Sequence, residues 1–425
     1  MKKTIIKGLS LVLVLSSLLS GCKKADSKEF KPSLDKNLTA NLEIEGFFDN
    51  FEALDQVVNA FNKYYPNVSV SYERVPCSKL REFMENNQGV DIFMTSSQNF
   101  NQEDNEKYVG DYCLDYSSEK MNLSAYRENL IKAYTINDQL ISLPIFENVS
   151  GLIVNKTLLE KEGLTIPTNQ EEFLSCLAVL KEKGYTPIQS ALNHVYSNLV
   201  YSEALTLIGN NGQLSNQLNR GNVENIELLL PIFETIETMV NEGYSDLTLN
   251  ETYPSDNYDK AILKFFEGDV AFWPCTGENA SGMKKRESKS ESFKNTPFKY
   301  EFIYSPIGEK GAYGYEDVWG GFSINKNTNK KDLAIEFMNF LSQEENLNLL
   351  ANTKGMPSVA KNRDNAFYTN LDNEKLIEES YQDEGIIFLS TKSKIADVCN
   401  QYANGNYNSA KEALEALSKK IEEAK

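Results

Sequence analysis

An α/β protein built in two lobes is the fold class that the sequence predicts, and three observations lead to it. Between residues 41 and 94 the apolar pattern alternates strand, helix, strand, helix, strand, an order that builds a largely parallel sheet flanked by helices. The roughly 380 residues that follow the N-terminal segment exceed what one small core holds. No later stretch approaches about 18 consecutive apolar residues, so no internal membrane span is expected.

The chain opens with Lys2, Lys3 and Lys7, then the apolar run Leu9 to Leu19, which is short for a membrane span and has the layout of a secretory signal peptide over residues 1–21. It ends in Leu19-Ser20-Gly21-Cys22, which resembles the lipobox of bacterial lipoproteins. That resemblance implies cleavage before Cys22 and acylation of its sulfur, a firm anchor at the outer face of the cytoplasmic membrane. Residues 22–40, rich in Lys, Ser and Asp, read as a flexible tether.

Leu42 and Ile44 mark a first strand ending in the Phe47-Phe48 pair, after which Asp49 or Asn50 can cap a helix. Leu54, Val57, Val58, Phe61 and Tyr65 recur at helical spacing until Pro66 stops them. Val68, Val70 and Tyr72 alternate as a strand, a short helix spans Lys79 to Asn86, and Val90 to Met94 is a third strand. Thr168 to Glu171 fits a capping box for the helix of Phe173, Leu177 and Leu180, which Gly184 ends. Further helices are expected over Asn225–Met239, kinked or restarted at Pro231, and over Asp256–Phe266, ended by Gly268. The charged stretch 284–295 reads as an exposed loop, and Ala334–Leu341, Glu344–Asn352 and Ser409–Lys425 as helices.

The formal charge of −18 argues against a nucleic-acid partner and suits a soluble monomer. Five cysteines besides Cys22 cannot all pair within one chain, and none lies in a Cys-x-x-Cys spacing, so free buried thiols are expected. His194, the single histidine, leaves little room for histidine chemistry; no metal site or cofactor is expected. P-loop, G-x-S-x-G, H-E-x-x-H and G-x-G-x-x-G patterns are missing. Paired carboxylates of a glycosidase remain open, because any two of 61 acids can converge.

Three stretches together resemble the bacterial extracellular solute-binding proteins that include the maltose-binding protein. They are Leu143-Pro144-Ile145-Phe146-Glu147 with Gly151 to Lys156 and Pro167-Thr168; Phe265-Phe266-Glu267-Gly268-Asp269 to Phe272; and Trp319-Gly320-Gly321-Phe322-Ser323-Ile324 with Ala334 to Leu341 and Gly355-Met356-Pro357. Val154 replaces a usual Tyr, and Glu278 stands where an aromatic is common. The resemblance implies a periplasmic-binding-protein-like fold of discontinuous lobes joined by a multi-segment hinge. Lobe 1 would hold residues 41–146 and 320–356, and lobe 2 residues 147–319 and 357–425. It implies capture of a small solute, a sugar above all, for an ABC-type permease. A sensor or adhesin on the same fold, a lipid-anchored glycosidase, and a cation such as a polyamine as ligand are the alternatives.

Ligand contacts are expected where strands of an open α/β sheet end. Asp49, Asn50 and Phe51 follow the first strand, and Ser97 and Gln98 the third. Glu147 lies in the first crossing segment, where its carboxylate can accept sugar hydroxyls; Thr276 and Glu278 belong to the second family stretch. Tyr196 and Trp319 offer aromatic faces for the C–H face of a sugar.

Overall fold

A computed structural model describes residues 30–48, 51–75, 79, 82, 85–86, 90–95, 111–136, 138–190, 195–209, 214–246, 258–277, 280, 282–308, 314–363, 376–378 and 389–423. Residues Pro32–Lys425 form one compact unit and Met1–Lys31 another. The expected signal peptide, Cys22 and the start of the tether, to residue 29, lie outside the described residues.

The strands are β1 (Ala40–Gly46), β2 (Val68–Arg74), β3 (Ile92–Thr95), β4 (Thr135–Ile136), β5 (Gln139–Leu140), β6 (Leu143–Asn155), β7 (Thr186–Ile188), β8 (Val270–Thr276), β9 (Tyr300–Ile303), β10 (Gly314–Ile324) and β11 (Leu376–Glu378). All but the β4–β5 hairpin join one sheet in the order β2-β1-β3-β10-β6-β8-β7, with β9 on β6 and β11 on β10. β1 runs parallel to β2 and β3, as the β-α-β-α-β order predicts.

Two long strands, β6 and β10, belong to both ends of this sheet. Residues 321–324 of β10 pair with β3, and residues 320–322 with the start of β6. Further along, Tyr315–Val318 pair with Glu147–Ser150, and the rest of β6 pairs with β8 and β9. Each strand therefore passes from one half-sheet into the other, which is the architecture of two discontinuous lobes.

Helices α1 (Glu52–Phe61), α2 (Gln170–Glu182), α3 (Val195–Gly209), α4 (Leu230–Asn241), α5 (Lys331–Leu341), α6 (Glu344–Lys354), α7 (Leu389–Ala403) and α8 (Ala410–Glu422) cover the sheet. In the first half α1 packs on α5 and α6, and Leu54, Val57, Phe61, Phe337 and Leu341 are buried with Leu42, Ile44 and Ile92 of the strands. In the second half α7 packs on α3 and α4, and α8 on α4, around Phe173, Leu199, Phe233, Val398 and Leu417. A smaller core collects Trp273, Phe265, Phe266 and Met283 beside β8.

Local chemistry explains where the sequence reading shifts. The N-cap position of α1 is Phe51, with no side-chain cap bond; Asp49 and Asn50 fall outside the described residues. The box at α2 begins one residue later than expected. Asn169 accepts the Glu172 N–H (2.9 Å), and the Glu172 carboxylate accepts the Thr168 N–H (2.8 Å). Pro231 restarts the chain: a 3₁₀ turn Ile226–Leu229 precedes α4, with Pro231 in its first turn, where no N–H is needed. Gly184 and Gly268 follow their helices at φ of 83° and 91°, as a left-handed stop requires. Residues 284–295 are not a loop. They form the short helices Met283–Glu287 and Glu291–Asn295, because Phe293 packs against Phe266 (5.2 Å between ring centres) and Ser290 caps the second by accepting the Phe293 N–H. The thiols of Cys113, Cys176, Cys275 and Cys399 are free and buried, and burial pushes those of Cys113, Cys176 and Cys399 up to about 12, far from reactive. Cys77 lies outside the described residues.

Candidate functional site

The strand crossing is irregular at one place. Along the β6–β10 pair, Val318 faces Glu147 and Gly320 faces Phe146, so Trp319 is an extra residue in β10; Gly321 then faces Pro144, so Ile145 is extra in β6. Such bulges bend strands and re-aim side chains, and they concentrate beside functional sites. Gly321 is required by space. A Cβ there would stand 2.4 Å from Ser142 Oγ and 2.9 Å from the Leu143 carbonyl oxygen. Neighbouring polar groups pin the kink: Thr95 Oγ1 bonds Ser142 Oγ (2.6 Å), the Ser323 hydroxyl donates to the Ile141 carbonyl (2.7 Å), and the Tyr116 hydroxyl donates to the Phe322 carbonyl (3.1 Å).

Glu147 lies at this kink with no exposed surface. Its carboxylate accepts from the guanidinium of Arg127 at one oxygen and from Arg363 at the other (2.8 Å). Its N–H reaches the Pro357 carbonyl (3.4 Å), so three chain segments meet here. Two guanidiniums on one buried carboxylate satisfy the charge that burial penalises. The carboxylate expected to take sugar hydroxyls is thus occupied from within the protein. Arg127 and Arg363 had no local signal in the sequence, being 20 and 216 residues from their partner. The segment carrying Arg363 stays with the first half: Ala360 bridges Tyr126, and the Lys361 N–H donates to the Ala125 carbonyl (2.7 Å).

The other expected contacts fall in different surroundings. Phe51 is buried against Phe48, Tyr72 and Phe146, at ring separations of 5.0, 5.5 and 5.8 Å, where it fills the first half's core. Tyr196 is 1% exposed, its hydroxyl 2.7 Å from Ser245 Oγ, and burial pushes its phenol up to about 12, so it too packs in a core. Thr276 is half-buried at the end of β8, opposite Ser150. Asp49, Asn50, Ser97, Gln98, Glu278 and the Trp319 side chain lie outside what is described.

One aromatic that sequence reasoning passed over is Phe47. It is half-buried where β1 ends, and its Cζ is 3.4 Å from where a Gly320 Cβ would be. Phe48 turns inward instead and carries the Lys354 ammonium 4.0 Å above its ring. The Phe pair was visible in the sequence; which ring turns inward was not. A separate depression of 430 Å³, lined by Leu164, Asn169, Glu172 and Cys176, touches none of the crossing strands. Asn169 and Glu172 are already engaged in capping α2, which leaves little there to orient a ligand.

Two half-sheets sharing bent strands, with a half-buried aromatic at the strand ends, are the architecture of the two-lobed binding proteins. The sequence pattern of the bacterial extracellular solute-binding proteins matches residues 48–347, and the chain belongs to that family. It is 21% identical over 360 residues to a multiple sugar-binding protein of Streptococcus mutans, covering 83% of this chain and 82% of the relative. The apo form of RafE from Streptococcus pneumoniae superposes with a TM-score of 0.72 at 16% identity, over 91% of this chain and 98% of the other. RafE in complex with raffinose gives 0.69 at 16% identity, over 90% and 99%. The family and these neighbours are binding proteins rather than enzymes.

Proposed function

We propose that this protein is a lipid-anchored receptor that encloses a sugar or oligosaccharide between its lobes and delivers it to an ABC-type permease. The observation that carries the reading is the bulge at Trp319, beside the half-buried ring of Phe47, at the C-terminal ends of β1 and β3. An aromatic face there suits the C–H face of a pyranose, and the bent strands supply a pivot for closure. The sugar-binding relative and the raffinose-bound neighbour support this ligand class over others. A polyamine gains little from Glu147, whose charge two arginines already balance. Lobe 1 takes residues 41–146, 320–356 and the packed segment to Arg363, and lobe 2 the remainder. Acylation of Cys22 keeps the receptor beside its permease.

A thermal-shift screen of the full chain against raffinose, other oligosaccharides, monosaccharides and polyamines tests this. A sugar in excess of its Kd raises the midpoint. Phe47→Ala and Trp319→Ala each remove most of that shift while leaving the ligand-free midpoint within a few degrees, as loss of a stacking partner worth about 1–2 kcal/mol requires. A response to polyamines alone, or turnover of the glycoside, sinks the reading.

A further inference from the structure

The root of the N-terminal segment is fastened by a buried carboxylate whose hydrogen-bond partners, among the described residues, include no cation. Glu336, on α5, is 4% exposed. Ser33 donates its N–H to Oε1 (2.7 Å) and its hydroxyl to Oε2 (2.6 Å), and the buried Tyr65 hydroxyl also donates to Oε1. The Leu34 N–H donates in turn to the Tyr65 oxygen (3.2 Å). Among the described residues, two of the three donors to this carboxylate therefore come from one residue of the N-terminal segment. Without them a buried anion would keep a single partner, which is costly.

The clip stands on rigid ground. Glu336 neighbours Phe337, which packs edge-on against Phe61 (5.2 Å), and Phe61 packs on Tyr65 (5.0 Å). Little slack lies beyond it. The Leu38 N–H closes a turn on the Asp35 carbonyl (3.0 Å), and β1 begins at Ala40. Upstream, residues 22–32 hold four lysines and two acids, net +2 in a chain of net −18. A basic stretch next to a lipidated residue is attracted to an anionic leaflet, whereas the acidic body is not.

We infer that Glu336 and Tyr65 clip the tether at Ser33–Leu34, so that lobe 1 is the membrane-held half and lobe 2 the half that swings. This rests on the lipid-anchor reading of Cys22 for its membrane half and on geometry alone for the clip.

The full lipidated chain on phosphatidylglycerol vesicles tests both. Amide exchange at Ser33 and Leu34 is expected roughly a hundredfold slower than in unstructured chain. Glu336→Ala speeds it about tenfold or more; Ser33→Ala, at an exposed residue that leaves the core intact, speeds it less. Exchange at the unstructured rate in the unaltered chain overturns the clip. A lipid with a headgroup photo-crosslinker should label exposed Lys63, two residues from Tyr65, roughly fivefold over Lys411 and Lys419 of α8, and Glu336→Ala should narrow that ratio. Equal labelling in the unaltered chain overturns the assignment of lobe 1. A chain that stays as free of vesicles as Cys22→Ser overturns the lipid anchor itself, with the exchange result still deciding the clip.

Discussion

The two half-sheets are held together by different means. The first is assembled from segments far apart in the chain, and buried acids pin it. Asp91 accepts from Lys330 (2.9 Å) and the Glu43 N–H (2.8 Å), Glu147 from Arg127 and Arg363, and Glu336 from Ser33 and Tyr65. The second half is held mainly by helix faces, Phe173, Phe233, Leu199, Val398 and Leu417 meeting in one apolar core. The difference teaches that a layer of strands brought from distant segments obtains register from directional polar pins, where a helix layer obtains cohesion from area. Apolar contact alone tolerates sliding; a two-point ion pair does not.

The sharpest way to break this comparison is Glu147→Ala. It leaves two guanidiniums facing a buried space without their counter-charge, and a loss of about 3–5 kcal/mol is expected in denaturant unfolding. Phe233→Ala in the second half should cost a similar amount by opening a cavity, yet without changing how stability depends on salt. If Glu147→Ala falls within about 0.5 kcal/mol of the unaltered chain, the pin is decorative and the contrast collapses.

Glycines sharpen the comparison at smaller scale. Gly321, at the crossing, is limited by space, because a methyl would overlap Ser142 and the Leu143 carbonyl. Gly184, after α2, has open surroundings and is limited only by its φ of 83°. Gly321→Ala is therefore expected to cost about 2–3 kcal/mol and to weaken sugar binding by disturbing the pivot. Gly184→Ala should cost about 1 kcal/mol and leave binding alone. Equal costs and equal affinities would remove the distinction.

Much of the architecture was legible because it is local. The β-α-β-α-β order and the stops at Gly184 and Gly268 rest on neighbours within a few residues, whereas the crossing strands at Pro144 and Trp319 were legible only through the family resemblance. The pins were illegible for the opposite reason. Ser33 and Glu336 lie 303 residues apart, and an acid in an amphipathic helix reads as a solvated face until its partners are known. The register shift at Trp319 was equally hidden, since periodicity gives the face of a residue but not its opposite number. Phe51 and Tyr196 show the converse error: an aromatic near a strand end or a family stretch reads as a ligand contact, while core packing claims the same residue type.

Glu45 gives the most specific effect, because it depends on pH. It is 5% exposed on β1, paired in register with Glu73 and Phe93, and among the described residues its Oε2 has no hydrogen-bond partner. Burial first, then the charges of Glu73 and Glu43, push its carboxyl up from 4.5 to about 7. It is an acid that the first half accommodates best when protonated. Between pH 4.5 and 7 the folded chain holds this proton more tightly than the unfolded chain does. Its contribution is therefore complete below the unfolded value and is lost as pH rises through about 7. Glu45→Gln keeps a neutral side chain at every pH, so the variant should gain on the unaltered chain as pH rises. The gain should reach about 2 kcal/mol by pH 8 once water around Glu43 and Glu73 is allowed for. Paired denaturant titrations across that range isolate it from the other acids. A difference that stays flat with pH would mean that Glu45 holds no proton more tightly in the folded chain than in the unfolded one.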